Sequence, residues 1–364
     1  MAFGAGGASA QDGGSPLRIF GYFQTLFQHQ SAVVDRSALN SFSLQQLNLL
    51  FQKELATKWT AFVNVEAVNS FNSKRNFGSI KFEEAWVKYR ASAKLSLKVG
   101  LQIPTFNNLN EIKNRTPLLP YALRPHVYET SFEEFVSVEE YLPTRGFAQV
   151  YGFLPSGKVK LDYAAFLGNS SMVNGDAELG QTGVDTSSSF LSGGRLGLRW
   201  KTLKLGVSAT HEKGTIKGDI LDIHDGPVSD FEDISRVRIG TDVSLDYRDF
   251  SLEAELIYLR YGERATDLDI YKAFYYGTLG YYVNSSLFVY ASYWYNKEDA
   301  TVAKSSIKVP TGGLSYHIHD SITFKAQVAS GRFKDELKVD LGGISAGVES
   351  HRWHFYTAAV SVYF

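Results

Sequence analysis

The chain has 364 residues, 44% of them hydrophobic and 14% aromatic, and a formal net charge of -1. No run of about eighteen apolar residues occurs, which excludes a helical membrane protein, and the scattered basic residues give no footprint for nucleic acid. Cysteine is absent, which excludes disulfides, thiolate nucleophiles and cysteine metal sites.

Residues 1–16 read as a residual signal or flexible segment. Within it, Ala8-Ser9-Ala10 has the small-x-small form of a signal-peptidase site just before Gln11. From Leu17 onward the chain reads as one β domain, 17–364. Only 9 prolines and 2 methionines accompany 32 glycines, 21 tyrosines and 25 phenylalanines, a composition suited to strands. The predicted strands are 17–28, 41–55, 59–72, 78–91, 95–106, 146–154, 158–169 and 192–201, then 204–214, 233–249, 251–263, 267–284, 287–300, 305–320, 321–336 and 350–364. Each alternates with period two. In the fifth, Leu95, Leu97, Val99 and Leu101 alternate with Ser96, Lys98, Gly100 and Gln102; in the tenth, Val237, Ile239, Thr241 and Val243 alternate with Arg236, Arg238, Gly240 and Asp242. One face is therefore expected to be apolar and the other charged.

Tight turns are predicted at 56–58, 92–94, 155–157, 202–203, near 250, and at 285–286 and 320–321. Longer connections fall between them at 29–40, 107–145, 170–191, 215–232 and 337–349. Short turns at one rim and long loops at the other are the polarity of an outer-membrane barrel. So many up-and-down strands exceed an ordinary sandwich, and closure leaves no edge to satisfy. The fold expected is all-β: a transmembrane antiparallel barrel of about 16 strands, wide enough for an aqueous channel. Trp59, Tyr89, Trp200, Tyr247, Tyr281, Tyr282 and Trp294 lie toward strand ends and are expected in interfacial girdles.

In chain order, the basic residues on the polar face are Lys98, Lys160, Arg195, Arg199, Arg236, Arg238, Lys272 and Lys325. They are expected to line the interior, interleaved with Glu66, Asp162, Asp242, Asp246, Glu253 and Glu255. The connection 107–145 is long enough to be functional and carries Glu111, Arg115, Arg124, Glu129, Glu133, Glu134, Glu139, Glu140 and Arg145. An acidic loop opposite a basic wall sets up a transverse field that sorts ions. Catalytic constellations are missing: no Gly-x-Ser-x-Gly, Walker loop or dinucleotide fingerprint occurs. His317 and His319 share a strand face and His351 and His354 adjoin the last strand, with no third ligand placed by spacing. No catalytic residue, metal or cofactor is expected.

The last strand alternates Tyr356, Ala358, Val360, Val362 and Phe364. It looks like the carboxyl-terminal signal of bacterial outer-membrane barrels, which implies recognition by the barrel-assembly machinery. Residues 44–55, 80–90 and 97–106, the last reading Leu-Lys-Val-Gly-Leu-Gln-Ile-Pro-Thr-Phe, resemble the phosphate-selective porin O and P family and related sixteen-stranded porins. The resemblance implies a Gram-negative outer-membrane porin passing ions and small hydrophilic solutes. It further implies that 107–145 folds inward as a constriction loop, that lipid and lipopolysaccharide surround the barrel, and that it forms a homotrimer. The mixed charge of the polar face departs from the phosphate-selective members, so phosphate specificity is not expected. A barrel with a plugged lumen, anchoring a cell-envelope assembly, is the competing expectation.

Overall fold

Strands with one apolar and one polar face satisfy all their backbone groups only when each has a partner on both sides. A computed structural model of the chain describes residues 15–32, 37–69, 78–112, 115–128, 144–170, 189–216, 231–262, 270–299, 303–337 and 347–364. Among them are sixteen strands. The first eight are β1 (Arg18–Gln30), β2 (Leu39–Ala56), β3 (Trp59–Asn69), β4 (Ser79–Ser92), β5 (Leu95–Gln102), β6 (Arg145–Ser156), β7 (Val159–Gly168) and β8 (Leu191–Trp200). The others are β9 (Leu203–Ile216), β10 (Phe231–Tyr247), β11 (Phe250–Gly262), β12 (Ile270–Tyr282), β13 (Leu287–Asp299), β14 (Ala303–His319), β15 (Ile322–Leu337) and β16 (Gly347–Tyr363). Each pairs with its chain neighbours, and β16 returns to pair antiparallel with β1. The expected closed, up-and-down barrel of sixteen strands is the architecture observed. Residues 1–14 of the expected leader segment lie outside the described residues.

Closure is made at a seam. The Gly21 N–H donates to the Phe364 carbonyl at 2.8 Å, and the Phe364 N–H donates to the Gly21 carbonyl at 3.0 Å. A Cβ at position 21 would lie 2.6 Å from the Asn48 carbonyl oxygen and 2.7 Å from the Phe364 ring, so the terminal ring seats only over glycine. At one rim the strands are joined by short turns. Lys58, Lys201 and Arg248 have φ of 73°, 54° and 54°, the left-handed backbone that tight hairpin turns demand.

The outer face is apolar. Ile80, Leu196 and Val207 are 79%, 70% and 57% exposed, a surface that a closed barrel presents to hydrocarbon. Trp59 packs on Tyr89 at 4.8 Å and Phe250 on Tyr281 at 4.9 Å, and with Trp200, Tyr247 and Tyr282 they flank the short turns. Trp294 does not belong to this girdle: it is 1% exposed and faces inward from β13. β13 carries aromatic residues on both faces, so its alternation does not separate lumen from lipid.

The inner face is not polar throughout. From β11 to β16, between the charged Glu253, Glu255, Lys272 and Lys325, it carries Ile257, Phe274, Tyr290, Trp294, Val309, Trp353 and Phe355, all buried. These form one apolar cluster with Phe106, Leu109, Leu119, Tyr121, Val127 and Tyr128 from the chain after β5. These apolar residues of the inner face, which were not singled out in the sequence apart from Trp294, are covered by chain rather than by water.

Candidate functional site

The fifth strand ends four residues earlier than expected, at Gln102. Pro104 offers no N–H to a ladder, and Asn107 takes a left-handed φ of 49°, a conformation Asn tolerates better than most residues. Together they turn the chain away from the strand direction. Arg145, expected in the loop, opens β6 and pairs with Gln102.

The chain between β5 and β6 then makes polar contacts with inward-facing residues of distant strands. On one side the Asn107 N–H donates to Ser208 Oγ at 2.9 Å, and the Leu109 N–H donates to Glu255 Oε1 at 2.6 Å. Tyr128 donates its hydroxyl to the other oxygen of Glu255 at 2.6 Å. Tyr276 donates to Glu253 Oε1 at 2.8 Å, and Tyr121 to the same oxygen at 3.3 Å. On the other side, the Ala122 and Leu123 N–H groups donate to Gln327 Oε1 at 3.0 and 2.9 Å. Lys325 Nζ donates to the carbonyls of Thr116 and Pro117, both at 3.0 Å, and to Gln24 Oε1 at 2.9 Å. Backbone groups that leave the ladder are satisfied by side chains of the wall. His126 packs beside Trp294, ring centroids 6.3 Å apart, and burial pushes its imidazole down to about 3, so it packs as a neutral ring.

Other residues singled out in the sequence fall into pairs. Arg195 donates to Asp242 through Nη2 at 2.6 Å and Nε at 3.2 Å. A Cβ at Gly206 would come within 2.3 Å of both partners, so glycine makes room for the pair. Arg199 is bound to Asp162. Arg236 and Arg238 converge on Glu212 Oε1 at 2.6 and 2.5 Å, and Ser170 donates to Oε2 at 2.7 Å; buried guanidiniums need such a partner. Lys272 meets Glu298 at 3.1 Å and Arg115 meets Glu84 at 3.2 Å. Lys98 lies 5.4 Å from the Trp86 ring centroid and Lys160 lies 5.8 Å from that of Phe153. Glu111 and Arg124 are partly buried. Glu129, Glu133, Glu134, Glu139 and Glu140 lie outside the described residues.

One cavity of about 420 Å³ remains between the chain after β5 and the inner wall of β4 to β8. Lys88, Arg90, Arg195 and Arg199 reach it from the wall and Glu111 from the facing chain. Lys88 and Arg90 were not singled out in the sequence. Their shared face with Trp86 in the fourth strand is the signal that points to them. Among the described residues no three His, Asp or Glu side chains stand close enough to hold a metal ion.

No family model matches the chain, and no curated protein matches it in sequence. The fold is similar to that of the anion-selective porin from Comamonas acidovorans, at 13% identity, covering 96% of this chain and 99% of that one, with a TM-score of 0.64. It is similar to the outer membrane channel DcaP of Acinetobacter baumannii, at 9% identity over 96% and 97% of the two chains, with a TM-score of 0.60. It also resembles the trimer form of OmpT, an outer membrane protein of Vibrio cholerae, at 12% identity over 96% and 99%, with a TM-score of 0.58. At these identities the likeness is one of fold.

Proposed function

We propose that the chain is a porin of the Gram-negative outer membrane. Ions and small hydrophilic solutes diffuse through an eccentric, water-filled passage, and no reaction is catalysed. The observation that carries this is the charged cavity kept against β4 to β8 while the opposite inner wall is covered by residues 103–112 and 115–128. A barrel that is apolar outside and charged inside along one wall needs lipid around it and water within it. The likeness to outer-membrane channels, one of them described as a porin, supports the same reading.

In this reading the connection 107–145 is the constriction loop. Glu111 faces the arginines of β8 across the cavity and supplies the acidic side of a transverse field. Lys325, Arg236 and Arg238 hold structure together rather than meeting solutes, because each is buried among fixed partners. The homotrimer is proposed on the likeness to a trimeric barrel, and native mass spectrometry giving monomers alone at low detergent would count against it. Lipopolysaccharide around the apolar band and delivery through the terminal strand ending at Phe364 belong to the same proposal.

The extent of the covered wall favours one alternative, a plugged barrel serving as an envelope anchor. Planar-bilayer recording separates the two. Stepwise insertion of ohmic channels is the result expected of the porin, and a folded barrel that inserts without conducting would overturn it.

A further inference from the structure

We infer that the cavity at the short-turn mouth binds small polyvalent oxyanions, bearing carboxylate or phosphate groups, from that side of the membrane. The inference rests on the porin reading for its route of access but not for the site itself. Lys88 and Arg90 near the end of β4, and Arg195 and Arg199 of β8, meet there with two carboxylates, Asp162 and Glu111. The excess is cationic, and pairing does not cancel it. Asp162 is bound to Arg199 and Asp242 to Arg195, whereas among the described residues Lys88 and Arg90 have no carboxylate within ion-pair reach. Lys88 instead sits 5.7 Å from the Trp86 ring centroid, and Arg90 is exposed.

Each paired arginine keeps N–H groups that its carboxylate does not use, since a guanidinium carries five donors in a planar fork. Converging forks and an ammonium around a cavity of about 420 Å³ suit a compact anion with several oxygens better than a monovalent ion. Low-dielectric walls leave such charges less screened than on an open surface. The site is one-sided. Its lining residues Ala93, Ser96, Phe153 and Asp162 adjoin the short turns, and Thr105, Asn107 and Glu111 line it from the chain after β5. An anion arriving from the short-turn rim meets cations first and the Glu111 carboxylate last. Its passage is slowed there, and it blocks the flow of smaller ions.

Citrate and inorganic pyrophosphate serve as probes, added to one side at a time of channels inserted in a known orientation. At about 0.1 M salt, where the Debye length is about 10 Å, both should block from the short-turn side at concentrations about tenfold lower than from the long-loop side. The Lys88→Ala/Arg90→Ala double variant should need about tenfold more of either for the same block. Block by pyrophosphate alone would narrow the class to phosphate, and block by both supports the oxyanion class. Equal block from the two sides, or a double variant blocked like the parent, would overturn the inference. Calorimetric titration of citrate into folded barrel in detergent reads the same site without needing current. Binding lost in the double variant supports the site even in a silent barrel, whereas no heat from the parent protein rejects it whatever the conductance.

Discussion

Lys325 is a buried ammonium whose three acceptors are all neutral: two loop carbonyls and the Gln24 side-chain oxygen. Nothing in that arrangement attracts a passing ion. It ties residues 116 and 117 to β15 and β1. In Lys325→Met the carbonyls lose their donor while remaining buried, which costs about 1–3 kcal/mol per group left unmade. The barrel, whose ladders do not depend on this side chain, should still fold. Open-channel noise should rise, and amide hydrogen exchange over 115–128 should accelerate on the order of tenfold, the equivalent of about 1.4 kcal/mol; exchange rates matching the parent protein would remove Lys325 as a clamp. Position on the wall sets the outcome elsewhere too. Ile239 faces outward at 47% exposure in the middle of β10, and Ser244 faces inward on the same strand. Ile239→Arg should lower folding stability by roughly 2–4 kcal/mol near the midplane, measured by urea titration in lipid, and Ser244→Arg should stay close to the parent.

The strands themselves were legible because period two is a local property. Ten residues such as those from Val159 to Gly168 carry their own inside and outside, and from Tyr163 onward the observed burial follows that alternation. What joins distant strands was not legible. Leu109 and Glu255 are 146 residues apart, and Lys325 and Thr116 are 209 apart; no spacing rule links a backbone N–H to a carboxylate six strands away. Glu253, Glu255 and Lys325 were therefore recognised as inward but not as the docking points of the chain after β5. The seam belongs to this scale as well. β16 must lay Phe364 over Gly21, 2.7 Å from where a Cβ would stand. Gly21→Val should displace that ring and slow closure, seen on unheated gels as a smaller heat-modifiable fraction at each time of refolding. A refolding course identical to the parent's would mean that the barrel closes without this contact.

At the scale of the whole molecule, the barrel divides into two unequal walls. From β11 round to β16 the lumen side is aromatic and covered, with Trp294, Trp353 and Phe355 at 1% exposure or less. From β4 to β8 it keeps charge and space. A conduit in such a barrel runs along one wall rather than down the axis, and the absence of native cysteine makes its course measurable. Single cysteines at Tyr151, on the cavity wall, and at Thr357, on the buried inner face of β16, can each be exposed to a charged methanethiosulfonate reagent during single-channel recording. Tyr151→Cys channels should lose current in discrete steps as the reagent reacts, and Thr357→Cys channels should keep their current unchanged. Steps at Thr357→Cys with none at Tyr151→Cys would put the conduit on the wrong wall and contradict the account.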